Sequence, residues 1–260
     1  MRRLWADPAW AGVVFYLGGR DVEALERLCA EAVGLGAQAK PWLLDLSPEA
    51  ETRMRVELPA SSQSGAGVSA WAHGEAHPAW RQGSVGKALA LPAGLPPVKG
   101  FLFAAGKTGD RILPRLGEEA WDRILDVNLR GHATLLRFLA VPGVLAPNAR
   151  GLLVGSISGL RGREGQSAYA AAKGGLLDLL PLVPAGLRLN VLLPPLLSSP
   201  LLDALGPAAR ARLFQDRLMD DPDAAASCAE AAAFLLSDEA SYIHGQGIHA
   251  DSRVTALGWE

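Results

Sequence analysis

Tyr169 and Lys173, in the run Ser167-Ala168-Tyr169-Ala170-Ala171-Ala172-Lys173, stand four residues apart. On a helix that spacing stacks both side chains on one face, one turn apart. There an ammonium lowers a phenol's pKa from about 10 toward the working range of a general acid or base. Ser156 lies thirteen positions before Tyr169, and Asn128 lies twenty-eight before Ser156. A serine hydroxyl brought in from a strand end would hold a carbonyl or alcohol oxygen beside the phenol. The chemistry open to such a set is proton transfer at a C–O centre. Each residue alone has a plainer use: a packed tyrosine, a surface lysine, a turn hydroxyl, a helix-bulge asparagine. The joint spacing carries the inference, since YxxxK by itself occurs in many helices.

The elements that must position these residues are legible around them. Residues 121–129 form an amphipathic helical stretch that carries Asn128. Residues 151–159 are an apolar strand running into a Gly/Ser turn that presents Ser156. Phe101-Leu102-Phe103-Ala104-Ala105-Gly106 is a second buried-type strand ending in small residues. On these motifs the chain resembles the short-chain dehydrogenases/reductases, especially their 3-oxoacyl-thioester reductase branch, from about residue 98 to 247. Residues 106–129 are similar to the family's passage from its NNAG strand to its catalytic asparagine. Arg188-Leu189-Asn190-Val191-Leu192-Leu193-Pro194-Pro195 resembles the strand and PG turn beside the nicotinamide, and residues 234–246 resemble the last helix and its turn.

The resemblance implies an α/β fold: a single Rossmann-like doubly wound parallel sheet with helices on both faces, spanning 1–260. Residues 1–97 would be a divergent dinucleotide-binding half, and 98–260 the catalytic and substrate half. It implies an NAD(P)-dependent enzyme that interconverts a carbonyl and an alcohol. Tyr169 would exchange the proton, Ser156 would orient the substrate oxygen, and Lys173 would bind the nicotinamide ribose. Asn128 would hold a water linking Lys173 to solvent. Expected cofactor contacts are Gly18, Gly19, Asp45, Ala104, Ala105, Gly106, Tyr169, Lys173 and Pro194. Expected partners are a small carbonyl or alcohol substrate and further copies of the chain, as a homodimer or homotetramer, or an active homologue.

The first half departs from this pattern. Alternating strand and helix signals place a first strand at 13–17, a helix at 22–35 and a second strand at 41–46. On that alignment the family's TGxxxGxG falls on Gly19-Arg20-Asp21-Val22-Glu23-Ala24-Leu25, with Glu23 and Leu25 replacing glycines. Those glycines let backbone approach a pyrophosphate at a helix N-terminus. A carboxylate there repels phosphate by about 1 kcal/mol or more. A second alignment reads Gly19-Arg20 as the end of the family's second strand, leaving the central first strand to be supplied from elsewhere. The first alignment is preferred on that ground. It puts Asp45 where a carboxylate would accept a ribose 2′-hydroxyl, favouring NAD; the second puts Arg20 where it would pair with the phosphate of NADP. Asp45 also reads simply as the residue leading into the Ser47-Pro48 helix start. Further departures are Ala104 and Ala105 for the asparagines of NNAG, Pro195 for the glycine of PG, and Pro181 and Pro184, which must end the helix after Lys173.

Bulk properties bound the remaining choices. The 260 residues are 49% apolar, enough for one large α/β domain. A net charge of −2 and pI ≈ 6.2 leave no electrostatic footprint for nucleic acid or an anionic membrane. Cys29 and Cys228 stand apart without a CxxC pattern and read as small buried hydrophobes in a reducing cytoplasm. No apolar run reaches membrane-spanning length, residues 1–8 lack a signal-peptide core, and His73 and His77 lack a third metal ligand. A cytoplasmic protein without metal is expected. A cofactor-impaired relative serving as a binding or partner subunit is the alternative to an active enzyme.

Overall fold

A computed structural model describes residues 14–19, 30, 38–43, 97–197, 207 and 223–250. The chain divides into two compact units, one of Met1–Pro97 with Thr134–Val141, the other of Val98–Ala133 with Pro142–Glu260. In the first unit, β1 (Val14–Gly19) pairs in parallel with β2 (Gln38–Leu43), Val14 opposite Gln38 and Gly19 opposite Leu43. Gly18 and Gly19 are thus the last residues of the strand and do not lie beyond it. Strand β2 begins three residues before the expected position 41. Asp45, Arg20, Glu23 and Leu25 lie outside the described residues, as do Cys29, His73 and His77.

The second unit holds β3 (Val98–Phe103), β4 (Leu145–Val154), β5 (Arg188–Leu193) and β6 (Gly247–His249), hydrogen-bonded in that order and all parallel. Each crossover carries helix: α1 (Glu118–Leu125) and α2 (Gly131–Leu139), then α3 (Ser158–Arg161) and α4 (Ser167–Asp178), then α5 (Ala224–Leu235). Parallel strands need such crossovers, and the helices cover the sheet. This is the Rossmann-like class of parallel sheet with flanking helices that the sequence implied.

The centre of this sheet is dry. Leu152 and Leu153 on β4 and Leu189, Val191, Leu192 and Leu193 on β5 are fully buried, which explains their continuous apolar runs. Each such side chain contributes about 1.5–3 kcal/mol of transfer free energy. One polar group is built into this core. Asn190 donates from Nδ2 to Ile243 O at 2.9 Å and accepts the Gln246 N–H at Oδ1, 3.0 Å away. That pair of bonds pins the turn leading into β6.

The start of β4 is irregular. Val98 pairs with Leu145 but Gly100 with Arg150, and Asn148 between them adopts φ +56°. Asparagine tolerates that left-handed region better than most residues, which suits a bulge. At the other end of the crossover, α4 stops at Asp178 and passes into a 3₁₀ turn, Leu180–Leu182, that contains Pro181. The expected helix stop is therefore present, for the stated reason: proline lacks the N–H that the next turn requires.

Candidate active site

Gly106 follows β3, Ser156 follows β4, and Tyr169 and Lys173 lie on α4. Ligand sites in open parallel sheets form beyond these carboxyl ends. Helix α4 is drawn in closely. A Cβ on Gly159 would stand 2.7 Å from the backbone of Lys173 and Gly174, and one on Gly174 would meet Gly159 O at 2.9 Å. Two glycines facing each other thus let α3 rest on the backbone of α4. On its other side Tyr169 packs with Ile124 and Ala168, flanked by Leu116 and Trp121.

Asn128 sits in a π-helical turn, Asp126–Arg130, between α1 and α2, where the Gly131 N–H reaches back to Asp126 O. Such widened turns often mark functional positions. Its amide is fully engaged as a donor: Nδ2 bonds Lys107 O at 2.7 Å and Ile124 O at 2.8 Å. Oδ1 accepts the Lys107 N–H at 3.1 Å. The side chain therefore clamps the loop after β3.

Lys173 is 2% exposed, and Nζ donates to Val154 O at 2.7 Å. Among the described residues it has no carboxylate partner. Burial pushes its amine down from 10.5 to about 8. A Cβ on Gly106 would stand 3.2 Å from Asn128 Oδ1 and 3.6 Å from Lys173 Nζ. Glycine, asparagine and lysine thus converge on one spot, which a side chain at 106 would fill.

Tyr169 is buried. Burial raises its pKa above the ordinary phenol value, the Ser156 hydroxyl pulls it down, and the Asp110 carboxylate pushes it up again. The sequence leads one to expect a phenol depressed by Lys173. Here burial wins: Nζ stands 5.9 Å from the ring centroid, bonded to Val154 O, with its own charge disfavoured by desolvation. Without a ligand the phenol is held in its proton-donating form.

The structure therefore gathers Asn128, Ser156, Tyr169, Lys173 and Gly106. Ala104 and Ala105 are exposed on the same strand end, and Pro194 is half-buried just after β5. Gly18 and Gly19 belong to the other unit.

Four residues that motif reading passed over join the group. Gln166 donates from Nε2 to Asp110 Oδ2 at 2.9 Å, and its Oε1 accepts the Ser158 hydroxyl, also at 2.9 Å. Ser158 in turn donates its backbone N–H to Ser156 Oγ at 3.2 Å. The fourth, His132, is fully buried, edge-on to Phe103 at 6.1 Å between centroids, and neither ring nitrogen has a well-formed hydrogen bond. Burial, with help from the positive field of Lys173, lowers its pKa from 6.5 to about 3 against a weak opposing pull from backbone at Val127 and Phe103. Serine two residues after Ser156 and glutamine three before Tyr169 were visible as polar residues beside the motif. His132 had only its place one helical turn after Asn128.

Residues 97–255 match the family model described as enoyl-(acyl carrier protein) reductase. The 3-oxoacyl-[acyl-carrier-protein] reductase FabG of Rickettsia conorii is 31% identical over 152 residues, 56% of this chain and 63% of that protein. The protein of the same name from Escherichia coli is 32% identical over 152 residues, covering 56% and 62%. The chain thus spans less than two thirds of the length of these curated relatives. The fold matches a solved 3-oxoacyl-[acyl-carrier protein] reductase from Brucella melitensis with TM-score 0.66, 19% identity and coverage of 92% of this chain and 81% of that one. It matches the angucycline C-6 ketoreductase LanV, solved with bound NADP, at TM-score 0.67, 16% identity and coverage of 97% and 90%. The chain belongs to the short-chain dehydrogenase/reductase family and is similar to its 3-oxoacyl-[acyl-carrier-protein] reductases.

No described helix is long and apolar enough to cross a membrane. Among the described residues no group of three or more side chains is placed to hold a metal ion. Cys228 is a free, buried thiol.

Proposed function

We propose that the protein is an NAD(P)-dependent oxidoreductase that reduces a ketone to an alcohol, or runs the reverse, with a 3-oxoacyl thioester as the preferred substrate class. The observation that carries this reading is the buried Lys173, without a carboxylate partner among the described residues, beside Gly106 and one turn from the Tyr169 phenol. A buried ammonium that spends one of its three donors on Val154 O suits a diol, the chemistry a ribose presents. Gly106 leaves the space in front of it open, so the residues at this end of the sheet fit a dinucleotide. Lys173, Gly106, Ala104, Ala105 and Pro194 would hold it in this unit.

When bound, the nicotinamide supplies a hydride to the carbonyl carbon or takes one from the alcohol carbon. Tyr169 gives its proton to the carbonyl oxygen during reduction and recovers it in oxidation. Ser156 orients that oxygen toward the phenol. Lys173 steadies the negative charge that develops there, and Asn128 acts as a positioning residue by clamping Lys107. Self-association into a dimer or tetramer belongs to the same reading.

Titration with NADH and NADPH, followed by nicotinamide fluorescence, tests the reading. Binding of one or both is expected. No binding of either at millimolar concentration would end it in favour of a partner subunit without redox activity, the role that Glu23 and Leu25 in place of glycines favour. Given binding, Tyr169→Phe is expected to cut turnover at least ~10³-fold with dinucleotide affinity retained.

A further inference from the structure

Residues from three separate segments make a continuous hydrogen-bonded chain around the reactive pair. It runs from Asp110 Oδ2 to the Gln166 amide, to the Ser158 hydroxyl, and through the Ser158 N–H to Ser156 Oγ. The loop carrying Asp110 is tied to the same turn a second time, because the Arg111 N–H bonds Gly165 O at 2.8 Å. Gln166 and Ser158 are buried, while Asp110 is exposed.

Resting on the reading above, we propose that Asp110, Gln166 and Ser158 form a positioning bracket that fixes the direction of the Ser156 hydroxyl toward Tyr169. The chemistry of each group sets the polarity of the chain. A carboxylate only accepts, so Asp110 forces the Gln166 amide to present Nε2 to it and Oε1 to Ser158. Ser158 must then donate its hydroxyl to Oε1. Its backbone N–H occupies a lone pair of Ser156 Oγ, and the Ser156 proton is turned outward, to the phenol or to a substrate oxygen.

The bracket also sets the phenol's acidity from two sides. The Ser156 hydroxyl lowers the Tyr169 pKa, and the Asp110 charge raises it. Among the described residues, the other groups around the ring are Lys173 and Ala168 on its own helix and the apolar Leu116, Trp121 and Ile124. Gln166 and Asp110 therefore act in opposite directions. Losing the Gln166 link frees Ser156 and raises the phenol's midpoint, whereas removing only the charge of Asp110 lowers it.

This difference in sign is the test, and it requires neither cofactor nor substrate. The chain holds three tyrosines, so Tyr16→Phe and Tyr242→Phe leave Tyr169 as the one phenol to titrate by its phenolate absorbance. In that background Asp110→Asn keeps an acceptor for Gln166 and is expected to move the midpoint down, by less at high salt. Gln166→Ala is expected to move it up. If Gln166→Ala does not fold by circular dichroism, Gln166→Met, which keeps the volume, is read in its place. A midpoint unmoved in either variant overturns the bracket. A purely structural role would alter thermal stability alone. Failure of the dinucleotide titration above would sink the enzymatic reading while leaving this measurement intact, so the two failures are separable.

Discussion

The two sides of Tyr169 solve the same problem in opposite ways. On the inner side Lys173, Asn128 and His132 are stripped of water, and burial pushes both ionisable groups down: Lys173 falls to about 8 and His132 to about 3. On the rim Asp110 remains exposed and acts through hydrogen bonds to buried neutral groups. Burial makes a group chemically responsive because desolvation sets its protonation. Exposure preserves charge but dilutes its field, so a rim carboxylate works mainly by geometry. Inner substitutions should therefore have the larger effect on how much chemistry occurs. Rim substitutions should change how well it is aimed.

The largest expected effect on turnover is at Lys173. Lys173→Met should lower kcat/KM about 10³-fold, or about 4 kcal/mol of transition-state stabilisation, measured with whichever dinucleotide binds. A loss no greater than that of Gln166→Ala would erase the contrast between inner side and rim. The same amine predicts a pH profile: reductive kcat/KM should fall as pH rises through about 8, where the ammonium is lost. Its stability signature has a definite sign. From pH 8 to 10.5 the unfolded chain keeps a proton that the folded chain has released, so this site's contribution to stability rises with pH. The penalty lifted is about 3 kcal/mol. Chemical denaturation across that window should show the stability of wild type gaining on that of Lys173→Met.

His132 sharpens the inner side through stability at acid pH. Folded, it stays neutral down to about 3; unfolded, it takes a proton below 6.5. Its contribution is therefore fully present above 6.5 and is lost as pH falls toward 3, by on the order of 5 kcal/mol at the limit. Replacing it with phenylalanine should flatten the fall in melting temperature between those values while leaving the neutral-pH fold unchanged. An equally steep fall in His132→Phe would assign the acid sensitivity to carboxylates elsewhere.

What was legible in the sequence follows the same division. Strand β5 lies where resemblance to the family placed a strand, and Pro181 marked the end of α4. The start of β2 was not legible: Gln38-Ala39-Lys40 carries no strand pattern and is strand through pairing with β1. The bulge at Asn148 hid for a similar reason, since registry across two strands decides it. The candidate set was readable because its members lie at fixed spacings along the chain. Asp110 and Gln166, 56 residues apart, are joined only by topology. The pKa of Tyr169 was misjudged because spacing shows that a charge is near but not how much water has been removed.

The smallest of these effects tests the meeting point of the inner side with the open strand end. Gly106→Ala adds one methyl group at a position 3.2 Å from Asn128 Oδ1 and 3.6 Å from Lys173 Nζ. The first distance is tight enough that Asn128 must give way by a few tenths of an ångström, which loosens its clamp on Lys107. The methyl also occupies the space before the amine, so dinucleotide affinity should weaken by about tenfold, or about 1.4 kcal/mol. Because the tyrosine–serine pair is untouched, kcat at saturating dinucleotide should change little. A variant with undiminished affinity would move the cofactor away from Lys173, and a variant with lowered kcat but intact affinity would place Gly106 on the aiming side of the site.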